Sequence, residues 1–298
     1  MKYLNLVALA CVLILSSCKN SSKKSDSETD KTDSTAVETK KPQLIHQWTT
    51  DTLLTTNESV IYDKKRDILY VSNIAGKPDS IDGNGFLSKV DLMGKITDTM
   101  WIKGLDAPKG MGIIEDTLYV TDIDDVVKIN IETGEILKKY HVEGSEFLND
   151  ITVSSDGKIY FSDSNKGDIH VIENDKVSLV KDSLAGPNGL LAVNGKLLVA
   201  LWNDKTLNTF DPETGEMTKQ TDGLNNPDGI VAVGDGTYLV SSWNGLVHLI
   251  NEDWSKELML DTTADEISAA DIEYISDKNI LLVPNFFKNT VSAYKLEK

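Results

Sequence analysis

Six stretches of the chain repeat one hydrophobic pattern: a short apolar strand, a tight turn, and a second apolar strand ending in small or polar residues. They begin at Glu58, Lys109, Asn149, Asn188, Asp228 and Ala270, at intervals of 51, 40, 39, 40 and 42 residues. Two further strands follow the pair in a complete unit, which therefore holds four. In the third unit the pattern predicts strands over 151–154, 158–162, 168–172 and 176–180, with Asp156-Gly157 turning the first hairpin. Thr133-Gly134 and Thr214-Gly215 turn the outer hairpins of units two and four. A four-stranded unit recurring about every 40 residues predicts an all-β fold, a six-bladed β-propeller of antiparallel blades over 44–298.

The ends of the repeat array are complementary. The sixth unit stops after a third strand at 290–296, and 44–50 is a strand with no unit of its own. Pairing the two completes the last blade and removes the edge that an open array would expose. Unit one is longer than the others, and the excess falls at 74–85, rich in Gly, Asp and Pro. This loop is expected to overhang a channel mouth. Its acidic spacing does not match an EF-hand loop, so it reads as a turn-rich connection.

Ahead of the array, Lys2 precedes an apolar run over 4–15 interrupted only by Asn5. The run is too short to span a bilayer and fits a signal peptide over 1–17. Leu15-Ser16-Ser17-Cys18 resembles the bacterial lipobox, which implies cleavage before Cys18 and a lipid on its thiol. Residues 18–43 carry almost no apolar side chains and read as a flexible tether. The expected location is therefore the bacterial cell envelope, with membrane contact through the lipid anchor only. Cys11 falls in the segment to be removed, so no intramolecular disulfide is expected.

Charge narrows the partners. The chain carries −17; Lys2 adds one positive charge and residues 19–42 hold six Lys against five acids, which leaves −19 on the domain. Nucleic acid and anionic lipid surfaces would be repelled by such a domain, whereas a cation would be attracted. A monomer acting on a small molecule is the expected form.

Equivalent positions on propeller blades share depth and radius. Glu58, Lys109, Asn149, Asn188, Asp228 and Ala270 should therefore form one ring at a channel mouth. Glu58, Asn149, Asn188 and Asp228 make a set of hard oxygen donors, which select Ca²⁺, Mg²⁺ or Mn²⁺. Ca²⁺ suits the irregular set best, and Zn²⁺ has weaker support without a histidine. The plainer alternative is that these residues serve turns, since Asn188-Gly189 and Asp228-Gly229 are turn dipeptides. His46, His141, His170 and His248 share no register and are expected in structural or surface roles. Trp202 and Trp243 sit 14 and 15 residues beyond their ring residues. Packing between blades is their expected role, and a ligand-pocket wall the alternative. Asn73, Asp122, Asp163 and Asn285 end second strands, as a deeper polar layer or as caps. No Gly-rich phosphate loop opens a helix, and no Ser/His/Asp arrangement stands out.

Asn149-Asp150, Pro187-Asn188-Gly189 and Pro227-Asp228-Gly229, with Glu58 ahead of them, resemble the gluconolactonase/regucalcin (senescence marker protein) family over 44–298. The pattern is also similar to calcium-dependent phosphotriesterase and paraoxonase-type propellers. The resemblance implies that Glu58, Asn188 and Asp228 bind a divalent cation, with Asn149 a neighbouring ligand that also contacts substrate. It implies a hydrolase of a lactone or related ester, with Asp228 as the catalytic carboxylate. Two features depart from the family. Ser59-Val60 stands where Gly-Pro is usual, and Lys109 occupies the ring in blade two. Its ammonium either holds an anionic part of a substrate or pairs with Glu58 or Asp228 and competes with a metal. The alternative function is a non-catalytic, envelope-anchored propeller that binds a small ligand or a protein.

Overall fold

The computed structural model describes residues 41–298 apart from Asp235. The expected signal peptide, the Cys18 lipid site and most of the tether lie outside the described residues. The described part forms six antiparallel sheets of four strands each. Five blades are continuous in sequence, and each begins with its inner strand: Asn57–Asp63, Pro108–Ile114, Leu148–Val153, Pro187–Val193 and Pro227–Gly234. The sixth has a short inner strand, Glu273–Ile275, followed by Ile280–Asn285 and Thr290–Glu297. Its outer strand is Gln43–Thr49, which pairs antiparallel with Thr290–Glu297 from Gln43 opposite Glu297 to Thr49 opposite Ser292. The first and last strands of the domain thus close the ring, as the orphan strand implied.

Apolar seams between neighbouring blades hold the ring together. Each seam takes one residue from the third position of the repeat: Val60, Met111, Ile151, Leu190, Ile230 and Ile272 each enter a different cluster. The cluster between blades one and two, for example, gathers Tyr70, Leu87, Leu105, Met111, Leu118 and Val127. Full burial of such a side chain contributes about 1.5–3 kcal/mol. The described residues contain no cysteine, so these seams and the sheet closure supply the cohesion.

Turn chemistry follows the sequence closely. Gly157, Gly134 and Gly215 have φ of +83°, +72° and +76°, values that only glycine adopts without strain. Segment 74–84 leaves blade one after Ile68–Asn73 and returns at Gly85–Val90. Its residues Ile74, Gly76, Lys77 and Pro78 line the cavity at the ring, so the loop does overhang that mouth.

A candidate active site at the propeller channel

Five inner strands share one irregularity near their start. Two residues face one on the neighbouring second strand: Glu58-Ser59 against Ser72, Lys109-Gly110 against Thr121, Asn149-Asp150 against Ser162, Asn188-Gly189 against Ala200, and Asp228-Gly229 against Ser241. These are β-bulges, which re-aim side chains. The first member of each pair lines a cavity of about 620 Å³ at one end of the channel. Ser59 and Asp150, joined by Asp271 of blade six, line a cavity at the other end. The inner strands therefore start earlier than the hydrophobic pattern predicted: blade three begins at Leu148 rather than 151. The polar pair is inside the strand as a bulge, where the pattern placed a turn before it.

Hydroxyl groups fix the bulges. Ser162 Oγ accepts from Asp150 N at 3.0 Å and donates to Asn188 O in the next blade at 2.9 Å. Ser241 Oγ does the same between Gly229 N (2.8 Å) and Ala270 O (2.8 Å). Ser72 Oγ accepts from Ser59 N at 2.9 Å, and Thr121 Oγ1 donates to Asn149 O. Glycine at the second position of three bulges is a packing requirement. A Cβ on Gly110, Gly189 or Gly229 would lie 2.6, 1.8 and 2.5 Å from backbone atoms of the next blade.

Glu58, Lys109, Asn149, Asn188 and Asp228 are all buried and converge on the one cavity. Ala270, the sixth ring position, is buried but adds no polar side chain. Asn149 spends its amide nitrogen on Asn188 Oδ1 at 2.6 Å and Ser164 Oγ at 3.0 Å, leaving Oδ1 as its acceptor end. Glu58 Oε2 is buried without a hydrogen-bond partner. Burial, then the charges of Asp228 and Asp271, push the Glu58 carboxyl well above its ordinary pKa, against the opposing pull of Lys109. Asp228 is pushed up in the same way by burial, Asp271 and Asp150, and pulled down by a hydrogen bond with Asn188.

Lys109 does not pair with either ring carboxylate. Its ammonium donates to Ala107 O at 3.0 Å and stands 4.2 Å from the Phe147 ring centre. Burial lowers its pKa to about 8, while Glu58 and Asp122 pull it upward.

Two acids on the far cavity, Asp150 and Asp271, were given no role of their own by the sequence reading. Asp150 accepts from Ile151 N at 2.7 Å and Leu190 N at 2.6 Å, and its carboxyl is pushed well up by burial and Asp271. Asp271 accepts from Ser59 Oγ at 2.6 Å and is raised by burial to about 7. The usable signal was the residue after each ring position, which reads Ser, Gly, Asp, Gly, Gly, Asp. The strand-end residues Asn73, Asp122 and Asp163 instead act as caps. Asp122 accepts from Asp106 N and Ala107 N, Asp163 from Glu146 N and Phe147 N, and Asn73 from Thr55 N.

Trp202 and Trp243 fill both roles offered by the sequence, since Trp243 packs against Ile74, Ala107 and Ile123 of other blades while both rings wall a cavity. Both line the ring-side cavity, with ring centres 6.2 Å apart. Trp243 also meets Phe286 at 4.6 Å and Phe287 at 5.8 Å. The Phe286–Lys288 3₁₀ turn carries two aromatic rings to the mouth and gives Trp243 its partners there. The histidines lie elsewhere. His46 packs edge-on against Tyr294, and His170 stacks on Phe161. His141, Asp124 and Asp125 bring possible ligand atoms within 4.8 Å of one another on blade two, with His141 exposed.

The solved structures that this fold matches carry several activities. A candidate gluconolactonase aligns with a TM-score of 0.66 at 15% identity, over 86% of this chain and 92% of that one. Streptogramin B lyase aligns at 0.63 and 14% identity, over 86% and 98%. A chain from a nidogen/laminin complex aligns at 0.61 and 15% identity, over 72% and 83%. No family model matches the sequence, and no curated protein does either. At this identity the likeness establishes the six-bladed fold and leaves function to the site.

Proposed function

We propose that the protein is a divalent-cation-dependent hydrolase, with Ca²⁺ the favoured ion, acting on a lactone or related ester at the ring end of the channel. One observation carries this reading: Glu58 Oε2 is buried in an oxygen-lined ring with no protein donor to satisfy it. A buried carboxylate oxygen without a partner is costly, and a bound cation removes that cost. The donor chemistry fits, since Glu58, Asn149, Asn188 and Asp228 all offer hard oxygens and would hold the ion. Lys109 leaves room for it, being held back by Ala107 O and Phe147. The domain charge of −19 also favours a cation at the ring.

A bound divalent cation supplies a Lewis acid that polarises an ester carbonyl. The remaining work falls to the chain. Asp228, in its ionised form, would take a proton from water as the water oxygen bonds to the acyl carbon, and return it to the leaving oxygen as the acyl carbon–oxygen bond breaks. Asn149 orients the substrate through its free acceptor end. Trp202, Trp243 and the 74–84 overhang limit water at the mouth. In the cell, the domain would hang from a lipid on Cys18 at the envelope. It would work there as a monomer, with no nucleic-acid partner.

Thermal melting tests the reading. The purified protein is melted with EDTA and then with excess Ca²⁺, Mg²⁺ or Mn²⁺, beside Glu58→Gln and Asp228→Asn. A cation-specific rise that both variants lose supports the site, because a ligand of the folded state alone stabilises it. Turnover of a lactone panel then separates a hydrolase from a structural cation. No response in the parent protein rejects the metal-dependent reading. It would leave the non-catalytic propeller, a use of this fold compatible with the match in a nidogen/laminin complex.

A further inference from the structure

The ring-side cavity is chemically lopsided. One flank is aromatic: Trp202, Trp243, Phe286 and Phe287 form a continuous wall, with Phe286 and Phe287 only 4.8 Å apart. Ile74, Ala107 and Ile123 pack beneath Phe286 and Trp243, so the wall has a fixed apolar base. At its outer end Phe287 is 65% exposed and lines the cavity, so the wall reaches from the apolar base to the mouth.

Lys109 stands on the same cavity and is only 1% exposed. An ammonium has three N–H groups, and one of them is used, on Ala107 O. The Phe147 ring takes one face at 4.2 Å. No carboxylate pairs with it, although burial of a charge without a counter-ion is costly. Lys77 of the overhanging loop adds a second positive charge to the lining. In a domain of charge −19, these two lysines match Glu58 and Asp228 one for one on the lining, so the cavity has a cationic side that the rest of the domain does not suggest.

We propose that this cavity takes an amphipathic organic anion, an aromatic carboxylate, with its acid group on Lys109 and its ring against Trp243 and the Phe286–Phe287 pair. A volume of about 620 Å³ accommodates such a molecule with space to spare. The proposal rests on the reading of the ring end as the functional site. Within the hydrolase reading, it makes the substrate a carboxylate-bearing aryl ester or lactone rather than a polyhydroxylated sugar lactone.

Binding, measured apart from turnover, provides the test. Quenching of tryptophan fluorescence and calorimetry are followed with 2-naphthoate, its neutral counterpart 2-naphthalenemethanol, and gluconate. Each titration uses the purified full chain, once in EDTA and once with excess calcium. The naphthoate is expected to bind at least about tenfold more tightly than the alcohol, about 1.4 kcal/mol. Lys109→Met abolishes that preference while the alcohol still binds. Lys109→Arg keeps the preference and separates loss of charge from loss of fold. Trp243→Ala weakens both ligands by a similar factor. Equal binding of acid and alcohol, an unchanged preference in Lys109→Met, or displacement of naphthoate by gluconate overturns the proposal. The outcomes are independent of the hydrolase reading. A naphthoate preference in EDTA, with no calcium response and no ester turnover, keeps the ligand class and rejects the enzyme.

Discussion

Asn149 and Asn188 join blades three and four at the ring through one short hydrogen bond, Nδ2 to Oδ1 at 2.6 Å. The bond fixes both amides, so that Asn188 turns its oxygen to Asn149 and its nitrogen toward Pro227 O, while Asn149 keeps Oδ1 as its acceptor end. Asn188→Ala removes the acceptor and leaves a buried amide short of a partner. The expected cost is about 1–3 kcal/mol in urea unfolding. Any cation-dependent rise in melting should also shrink. A variant with unchanged stability would show that the contact is replaced by water at no cost.

Gly189 is a stricter position. A Cβ there would sit 1.8 Å from Asp228 O, a backbone atom that cannot step aside without moving the next inner strand. Gly189→Ala is expected to destabilise the domain by about 3 kcal/mol or more, at the severe end of overpacking effects. Gly195→Ala makes the control. Its φ of +76° is left-handed, but nothing lies within 4 Å of its Cβ position, so the cost should stay near about 1 kcal/mol. Similar losses at both sites would contradict the close approach of blades four and five.

Ser162 ties its own bulge to the neighbouring blade, accepting from Asp150 N and donating to Asn188 O. Ser162→Ala should cost about 1–3 kcal/mol, because it strands two buried backbone groups. Ala200 occupies the equivalent place in blade four, so Ala200→Ser asks whether the pattern can be extended. A silent Ser162→Ala would mean that the bulge is held by inter-blade packing alone.

The fold was legible because a propeller is written in periodic terms. Strand pairs at 40-residue intervals, Asp156-Gly157 and its counterparts, and the orphan strand at the start of the domain each state one part of the closure. Glu58, Lys109, Asn149, Asn188 and Asp228 were legible for the same reason, as one register position. Asp150 and Asp271 were not. Asp150 faces the channel because a bulge sets two successive side chains of its strand toward the axis, and Asp271 sits ahead of the short inner strand of blade six, bridged to Ser59 of blade one; an alternating pattern signals neither. The aromatic wall around Trp243 was not legible because Phe286 and Phe287 belong to a short turn of another blade, outside any periodic signal.

The buried acids of the channel give the metal-free protein an unusual pH dependence. Burial holds Asp271 up at about 7 and Glu273, which lines the lower cavity, up at about 8. Glu58, Asp150 and Asp228 are raised for the same first cause. Unfolded Asp and Glu titrate near about 4. Between those limits the folded chain binds more protons than the unfolded chain, so stability rises as pH falls. In EDTA, the urea midpoint should therefore increase from about pH 8.5 down to about pH 5, and level off below the unfolded values. Asp271→Asn removes one of these groups and should flatten the upper part of the curve around pH 7. Surface carboxylates titrate near about 4, below this range, so a midpoint that falls with acidification from about pH 8.5 to about pH 5 would show that the channel acids are not desolvated. Excess calcium should oppose the trend at the ring, because a cation held by Glu58 and Asp228 favours their ionised forms. The midpoint would then be higher at neutral pH with calcium than with EDTA, and the two curves should converge as the carboxyls take up protons.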